Sequence, residues 1–445
     1  MDKPLPIDLL IKDVSVLPMD DAGSFLKHTD IAVDKGRILE IGQNLSYQAR
    51  EVIALKLGVA MPGLINCHMH ATLTRGVCED LKLMDWLSDI CHPLDAAYTP
   101  EIMEVSERLN QLEMILSGTT TFVDIYRFMH ESAKVLEESG LRGFLTPQVI
   151  ENQDGVGESM QDNIRLFHDW HGKANGRIHV WMGIHAPYSV EPQAYLRAKE
   201  FADKHGIGIH THLCETMDEV NGYLQKYGKT PVRMLEDLGA FGGKFIAAHC
   251  VHVSDEDIDI LARRGVTAIY NPISNMKLAS GIAPVERMRE RGVNVVLATD
   301  SNLSNNNIDL LKEMQIAAPL QKLGCKDATV LKSRQVLKMT TRLPAKALGL
   351  EEEVGELAPG KKADIILLDF DRPHLWPYLD GPGRNTVVDQ IVYSANGGDV
   401  DTTIVDGKVL MKHRQVRTLD REKIYFESQK MMHKLCITAG LLSDF

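Results

Sequence analysis

Between residues 61 and 300, short apolar runs alternate with long amphipathic stretches, and this alternation constrains the fold more than any other property of the chain. Eight runs stand out, at 61–70, 119–126, 143–150, 179–187, 206–214, 245–251, 267–272 and 293–300. Helical periodicity fills the gaps, most clearly over 100–117 and 192–205. Strands joined through helices pair in parallel, and eight of them suit a closed sheet. The pattern therefore predicts an α/β fold built on a (β/α)8 TIM barrel. No internal sequence repeat accompanies it.

The two ends have a different texture. Residues 8–18 alternate as a strand does, and 30–42 reads as a hairpin turning at Asp34-Lys35-Gly36, where glycine permits a positive φ. Residues 360–369 form a similar strand, and 402–411 a second hairpin turning at Asp406-Gly407. Strand-rich ends around a different middle predict a small β-sandwich domain formed from both termini. Its expected extent is 1–60 and 355–445, including a C-terminal helix, with the barrel over 61–354.

A chain of 445 residues is long enough for such a pair of domains. Apolar residues at 44% and charged residues at 25% exclude a disordered chain. Seven cysteines, odd in number and without a CxxC pair, suit a reducing compartment. The first 30 residues lack a secretory pattern, and no run reaches 18 apolar residues, so a cytoplasmic protein without a membrane span is expected. A net charge of −12 with no basic run argues against nucleic acid and anionic membranes as partners. What remains is an enzyme or binding protein for a small molecule.

Nine of the 17 histidines fall between His168 and His252. More telling is where the polar residues end their strands. Strand one ends in His68-Met69-His70, whose imidazoles share a face because they lie two apart. Strand five ends in His210-Thr-His212-Leu-Cys-Glu215, strand six carries His249, and strand eight ends in Thr299-Asp300. In a barrel these positions converge on one rim, however distant in sequence. Three or more imidazoles and a carboxylate at one rim point to a metal. His210 has the parity of His212 but lies one layer deeper, which suits a structural or supporting role. His205 and His252 read as surface or helix-cap residues, and Cys67, Cys214 and Cys250 as small packing residues.

Several segments together resemble the amidohydrolase superfamily: Pro62-Gly-Leu-Ile-Asn-Cys-His-Met-His70, His212-Leu-Cys-Glu-Thr216, Ala248-His-Cys-Val-His252, Asn271-Pro-Ile-Ser-Asn275, Thr299-Asp300, and 355–364 on the return to the β domain. Glu79-Asp80-Leu81, Trp86-Leu87, His185-Ala-Pro-Tyr188 and Ser304-Asn-Asn-Asn307 are similar to segments of its 5′-methylthioadenosine/S-adenosylhomocysteine deaminase and triazine hydrolase group. The resemblance implies metal ligands His68, His70, His212 and Asp300. It also implies catalytic roles for Glu215, His249 and Asp300, and substrate contacts from Trp86, Asp95, His185, Glu215 and Ser304. Strand four offers His185 and no lysine to bridge a second ion, so one Zn2+ per chain is expected, with Fe2+ compatible with the same ligands. The implied reaction is hydrolytic deamination of an aminopurine nucleoside, a metal-activated water replacing the ring amine and releasing ammonia. Hydrolysis of another amino- or chloro-substituted heterocycle (an s-triazine, a pterin or an oxidised purine) is the alternative. A homodimer is common among relatives.

Three positions depart from the deaminase pattern. Asp95 stands where the group has a glutamate that holds the ribose hydroxyls. Thr146-Pro147-Gln148 replaces an arginine late in strand three, and Asp300-Ser-Asn-Leu-Ser304 replaces a more usual Asp-Gly-Ala-Ala-Ser. The missing arginine bears on substrates that end in a carboxylate. Arg127, just past strand two, is the one substitute nominated, while Arg142 precedes its strand and faces the wrong end of the barrel.

Overall fold

The computed structural model describes residues 5–77, 79–81, 83–152, 156–381 and 383–442. All eight expected barrel strands are present: Leu64–Met69, Thr119–Asp124, Arg142–Leu145, a broken fourth strand of Ile178–Val180 and Met182–Gly183, then Gly208–Leu213, Lys244–His249, Thr267–Tyr270 and Asn294–Leu297. Sequential neighbours pair in parallel. The fourth strand breaks at Trp181, where the Asn163 side chain takes over the ladder. Its amide donates to the Trp181 carbonyl at 2.9 Å, and its oxygen accepts from the Gly183 N–H at 2.8 Å.

Strands eight and one close the ring without a regular ladder. The Asp300 N–H donates to the His68 carbonyl at 3.0 Å, and Asn66 bonds both the backbone and the hydroxyl of Thr299 at 3.1 and 2.8 Å. Closure therefore ties the metal-ligand candidates of the two strands directly together.

The terminal segments supply a separate nine-stranded sheet, drawn from Pro6–Val16, Leu26–Asp34, Arg37–Gly42, Gln48–Ala54, Gly58–Pro62, Ile365–Asp369, Val400–Val405, Lys408–Lys412 and Gln415–Val416. Both expected hairpins turn where glycine allows it, Gly36 at φ 79° and Gly407 at φ 72°. Ile31, Val33 and Ile53 from one half share a core with Ile365, Leu367 and Ile404 from the other, so the sheet folds over on its own apolar face.

The run expected as one strand from residue 61 is two strands that belong to different sheets. Gly58–Pro62 pairs with Ile365–Asp369 in the terminal sheet, and Leu64–Met69 enters the barrel. Gly63 makes the turn possible, because a Cβ there would lie 2.1 Å from the Thr120 hydroxyl. The C-terminal helix Arg421–Thr438 packs on the barrel helix Pro100–Ser117, with Lys434 and Glu101 paired at 2.9 Å. Among the described residues no helix is long and apolar enough to cross a membrane.

Candidate metal centre and active site

His68, His70, His212 and Asp300 meet at the C-terminal rim of the barrel. His70 Nε2 lies 3.2 Å from His212 Nε2, and Asp300 Oδ1 lies 3.3 and 3.4 Å from the Nε2 atoms of His68 and His70. A tetrahedral zinc with ligands at about 2.0–2.2 Å spaces its donors by roughly 3.3 Å, so this set fits such an ion. His68 Nε2 is fully buried, makes no well-formed hydrogen bond and faces only the Asp300 carboxylate, which as an acceptor cannot satisfy a bare ring nitrogen. A bare buried nitrogen costs free energy unless something occupies its lone pair.

The other ring nitrogens are held. His212 Nδ1 donates to the His185 carbonyl at 2.5 Å, and the His70 ring is hydrogen-bonded to the Ile125 backbone. His68 Nδ1 faces His210 Nε2 at 2.9 Å. Such partners fix the tautomer that points Nε2 inward. Burial lowers the pKa of His70 to about 3, so it stays neutral and able to ligate. Burial opposes ionisation of Asp300 too, but the surrounding histidines, His68 first, hold its carboxyl well below the usual range.

Backbone strain gathers at the same rim. His249 and Asp300, neither of them glycine, sit in left-handed conformations at φ 74° and 65°. Such conformers cost energy and persist where the surroundings over-determine them.

His249 also groups with His68 and His212 within metal-binding reach, but it lies farther from Asp300 than His68 and His70 do. Its Nδ1 faces the Asn275 side-chain oxygen at 2.9 Å, and its Nε2 lies 3.8 Å from Glu215 Oε2 and 3.9 Å from Asp300 Oδ2. Burial alone would lower its pKa, yet the Glu215 and Asp300 carboxylates raise it above the ordinary value. Glu215 moves the same way, its pKa raised chiefly by burial. An acid and an imidazole, both shifted upward beside a metal-fitting cluster, are suited to holding and passing protons. Glu215 is not a cap: the following helix Met217–Tyr227 is capped by Thr216.

Glu219, one helical turn on, was missed in the sequence. Its carboxylate accepts the N–H groups of Cys214 and Glu215 at 3.0 and 2.9 Å, bracing the segment that aims Glu215. Burial pushes its pKa up to about 7. Ser280 donates to Glu215 Oε1 at 3.2 Å, and its own carbonyl faces His252 Nε2 at 2.7 Å, so His252 buttresses the site.

Trp86, Asp95, His185, His249 and Glu215 all line the cavity above the cluster. Ser304, expected to contact substrate, is not among the residues lining it. It is 1% exposed and donates to Asp300 Oδ2 at 3.2 Å beside Ser274, because the short helix Asn302–Asn305 turns it beneath the carboxylate. Arg127 is also turned away. It pairs with Asp95 Oδ2 at 3.4 Å and donates to the Asp95 carbonyl. Among the described residues lining the cavity there is no lysine or arginine. Asp95 Oδ1 remains buried without a partner.

The amidohydrolase family model matches residues 59–410, spanning the barrel and its return into the terminal sheet. The chain belongs to the amidohydrolase family. Within this family it is 44% identical to the 5-methylthioadenosine/S-adenosylhomocysteine deaminase of Caldanaerobacter subterraneus, over 96% of this chain and 99% of that protein. It is 46% identical to the 5′-deoxyadenosine deaminase of Methanosarcina mazei, over 96% and 98%. An adenosine deaminase from Xanthomonas campestris with bound zinc superposes at a TM-score of 0.91, at 29% identity, covering 97% of this amidohydrolase and 99% of that chain. Atrazine chlorohydrolase from Arthrobacter aurescens, also with zinc, superposes at 0.88 and 22% identity over 95% and 100%, a likeness of fold. The amidohydrolase fold and hydrolysis of C–N bonds follow from these matches.

Proposed function

We propose that this amidohydrolase deaminates adenine nucleosides whose 5′ position carries an uncharged group. The observation that carries the reading is a metal-fitting rim with Glu215 beside it, under a cavity whose described lining residues include no lysine or arginine. His68, His70, His212 and Asp300 would hold one ion, zinc by preference and Fe2+ by ligand type. Bound there, zinc would bring the pKa of water to about 7 and supply a nucleophile at neutral pH.

The chain's own groups do the rest. Glu215 takes the water's proton and returns it to the ring nitrogen next to the amine-bearing carbon. His249 and Asp300 orient the attacking oxygen and help deliver a proton to departing ammonia. Asp95, held by Arg127, offers Oδ1 to the ribose hydroxyls, while Trp86 and His185 wall the purine. The deaminase names of relatives at 44% and 46% identity support deamination of an adenine nucleoside; 5′-deoxyadenosine in the second name carries an uncharged 5′ position, while the first name includes S-adenosylhomocysteine beside 5-methylthioadenosine.

Comparing kcat/KM for 5′-deoxyadenosine, 5′-methylthioadenosine, adenosine and S-adenosylhomocysteine tests the reading. The carboxylate-bearing S-adenosylhomocysteine should be poorer by about tenfold, roughly 1.4 kcal/mol. A preference for it would overturn the uncharged-substituent reading, and no turnover of any of the four would overturn nucleoside deamination.

A further inference from the structure

His70 and His212 have their tautomers set by backbone groups, whereas His68 has its own set through side chains. His210 Nε2 sits 2.9 Å from His68 Nδ1, and His210 Nδ1 sits 3.1 Å from Thr146 Oγ1. Thr146 Oγ1 in turn lies 2.6 Å from the Asp124 carbonyl oxygen, and His68, Thr146 and His210 are all 0% exposed.

The proton positions in this row follow from its last member. A carbonyl only accepts, so the Thr146 hydroxyl must spend its single proton on Asp124. Thr146 Oγ1 can then only accept from His210, which places a proton on His210 Nδ1 and leaves His210 Nε2 bare. A bare Nε2 accepts from His68 Nδ1–H, and His68 Nε2 is left as an open lone pair at the rim. That nitrogen is the buried one without a well-formed hydrogen bond.

The geometry points to Thr146 and His210 as positioning residues for the metal. Starting from the strand-two carbonyl of Asp124, they lock His68 into its ligating tautomer and orientation. This rests on the metal reading above but adds two residues that touch neither metal nor substrate. Thr146 is in the segment that departs from the deaminase pattern in strand three.

The test is zinc affinity of the metal-free full chain, measured by competition with a chromophoric chelator at pH 7, without any substrate. Thr146→Val is isosteric and removes only the hydroxyl; it should weaken zinc binding by about tenfold or more, the range for outer partners of metal ligands. Thr146→Ser restores the hydroxyl and should stay within roughly threefold of wild type. His210→Phe should lose at least as much as Thr146→Val, and if it fails to fold the threonine pair decides alone. Wild-type zinc affinity in Thr146→Val, or an equal loss in Thr146→Ser, would overturn the inference while leaving the metal site standing. A wild-type chain that takes up no zinc would overturn the metal reading itself, and this inference with it.

Discussion

Two buried clusters of charged groups at opposite ends of the barrel are built differently, although the end facing the terminal sheet also leaves Thr119 Oγ1 and His179 Nε2 buried without a partner. At the end facing the terminal sheet, Arg142 is 1% exposed and contacts Asp364 at 3.2 Å and Asp406 at 2.7 Å. Asp364 further accepts the Asp406 N–H at 2.8 Å, and none of the three side chains has a buried polar atom without a partner. At the other end, His68 Nε2, His185 Nδ1 and Asp95 Oδ1 are buried without a well-formed hydrogen bond. Desolvation penalises both ends alike. The closed set is complete as folded and ties a barrel strand to the terminal sheet. The open set is complete only when something enters.

Breaking the open set should have the largest effect. Asp300→Ala removes the carboxylate that faces both His68 and His70 and should abolish both metal content and turnover, read by elemental analysis and steady-state assay. Breaking the closed set should act on stability alone. Arg142→Met strands the buried Asp364 carboxylate, while the partly buried Asp406 keeps Lys362, and should cost about 3 kcal/mol in urea unfolding, with kcat and zinc per folded chain unchanged. A large loss of kcat in that variant would show the two ends to be coupled.

Glu215→Gln should keep the metal while kcat falls by roughly 100-fold or more, since an amide cannot pass a proton. A change in stability with kcat intact would reassign Glu215 to the fold. Glu219→Gln tests the brace. Its amide oxygen can accept only one of the two N–H groups, a loss of about 1–3 kcal/mol that should appear as a roughly tenfold drop in kcat. Unchanged kcat with reduced stability would place Glu219 in the closed class.

The smallest effect concerns pH at the seam. Burial would raise the pKa of Asp406, but Arg142 and Lys362 hold it below the ordinary aspartate range. A depressed folded pKa means that its contribution is complete above the unfolded value and is lost as pH falls through the folded one. Asp406→Asn should therefore flatten the acid limb of stability below about pH 4 while changing neutral-pH stability less than Arg142→Met does. An unaltered acid limb would show that Asp406 does not carry it.

Eight strands and the hairpins at Gly36 and Gly407 were legible in the sequence because apolar periodicity and turn chemistry are local. So was the convergence of His68, His70, His212, His249 and Asp300 on one rim, because a barrel brings strand ends together whatever their separation; which of them would hold the metal was implied by the family resemblance. Boundaries were less legible. The apolar run 58–69 crosses from one sheet to the other without changing character, and only the space around Gly63 marks the turn. Partners were least legible of all. That Ser304 lies beneath Asp300, that Arg127 turns to Asp95 rather than the cavity, and that Glu219 reaches back to two amides depend on where helices land after closure. Side-chain type and spacing thus determined which chemistry the chain can perform. Which lone pairs stay open for it was decided only by packing, since hydrogen-bond partners come from segments up to several hundred residues apart.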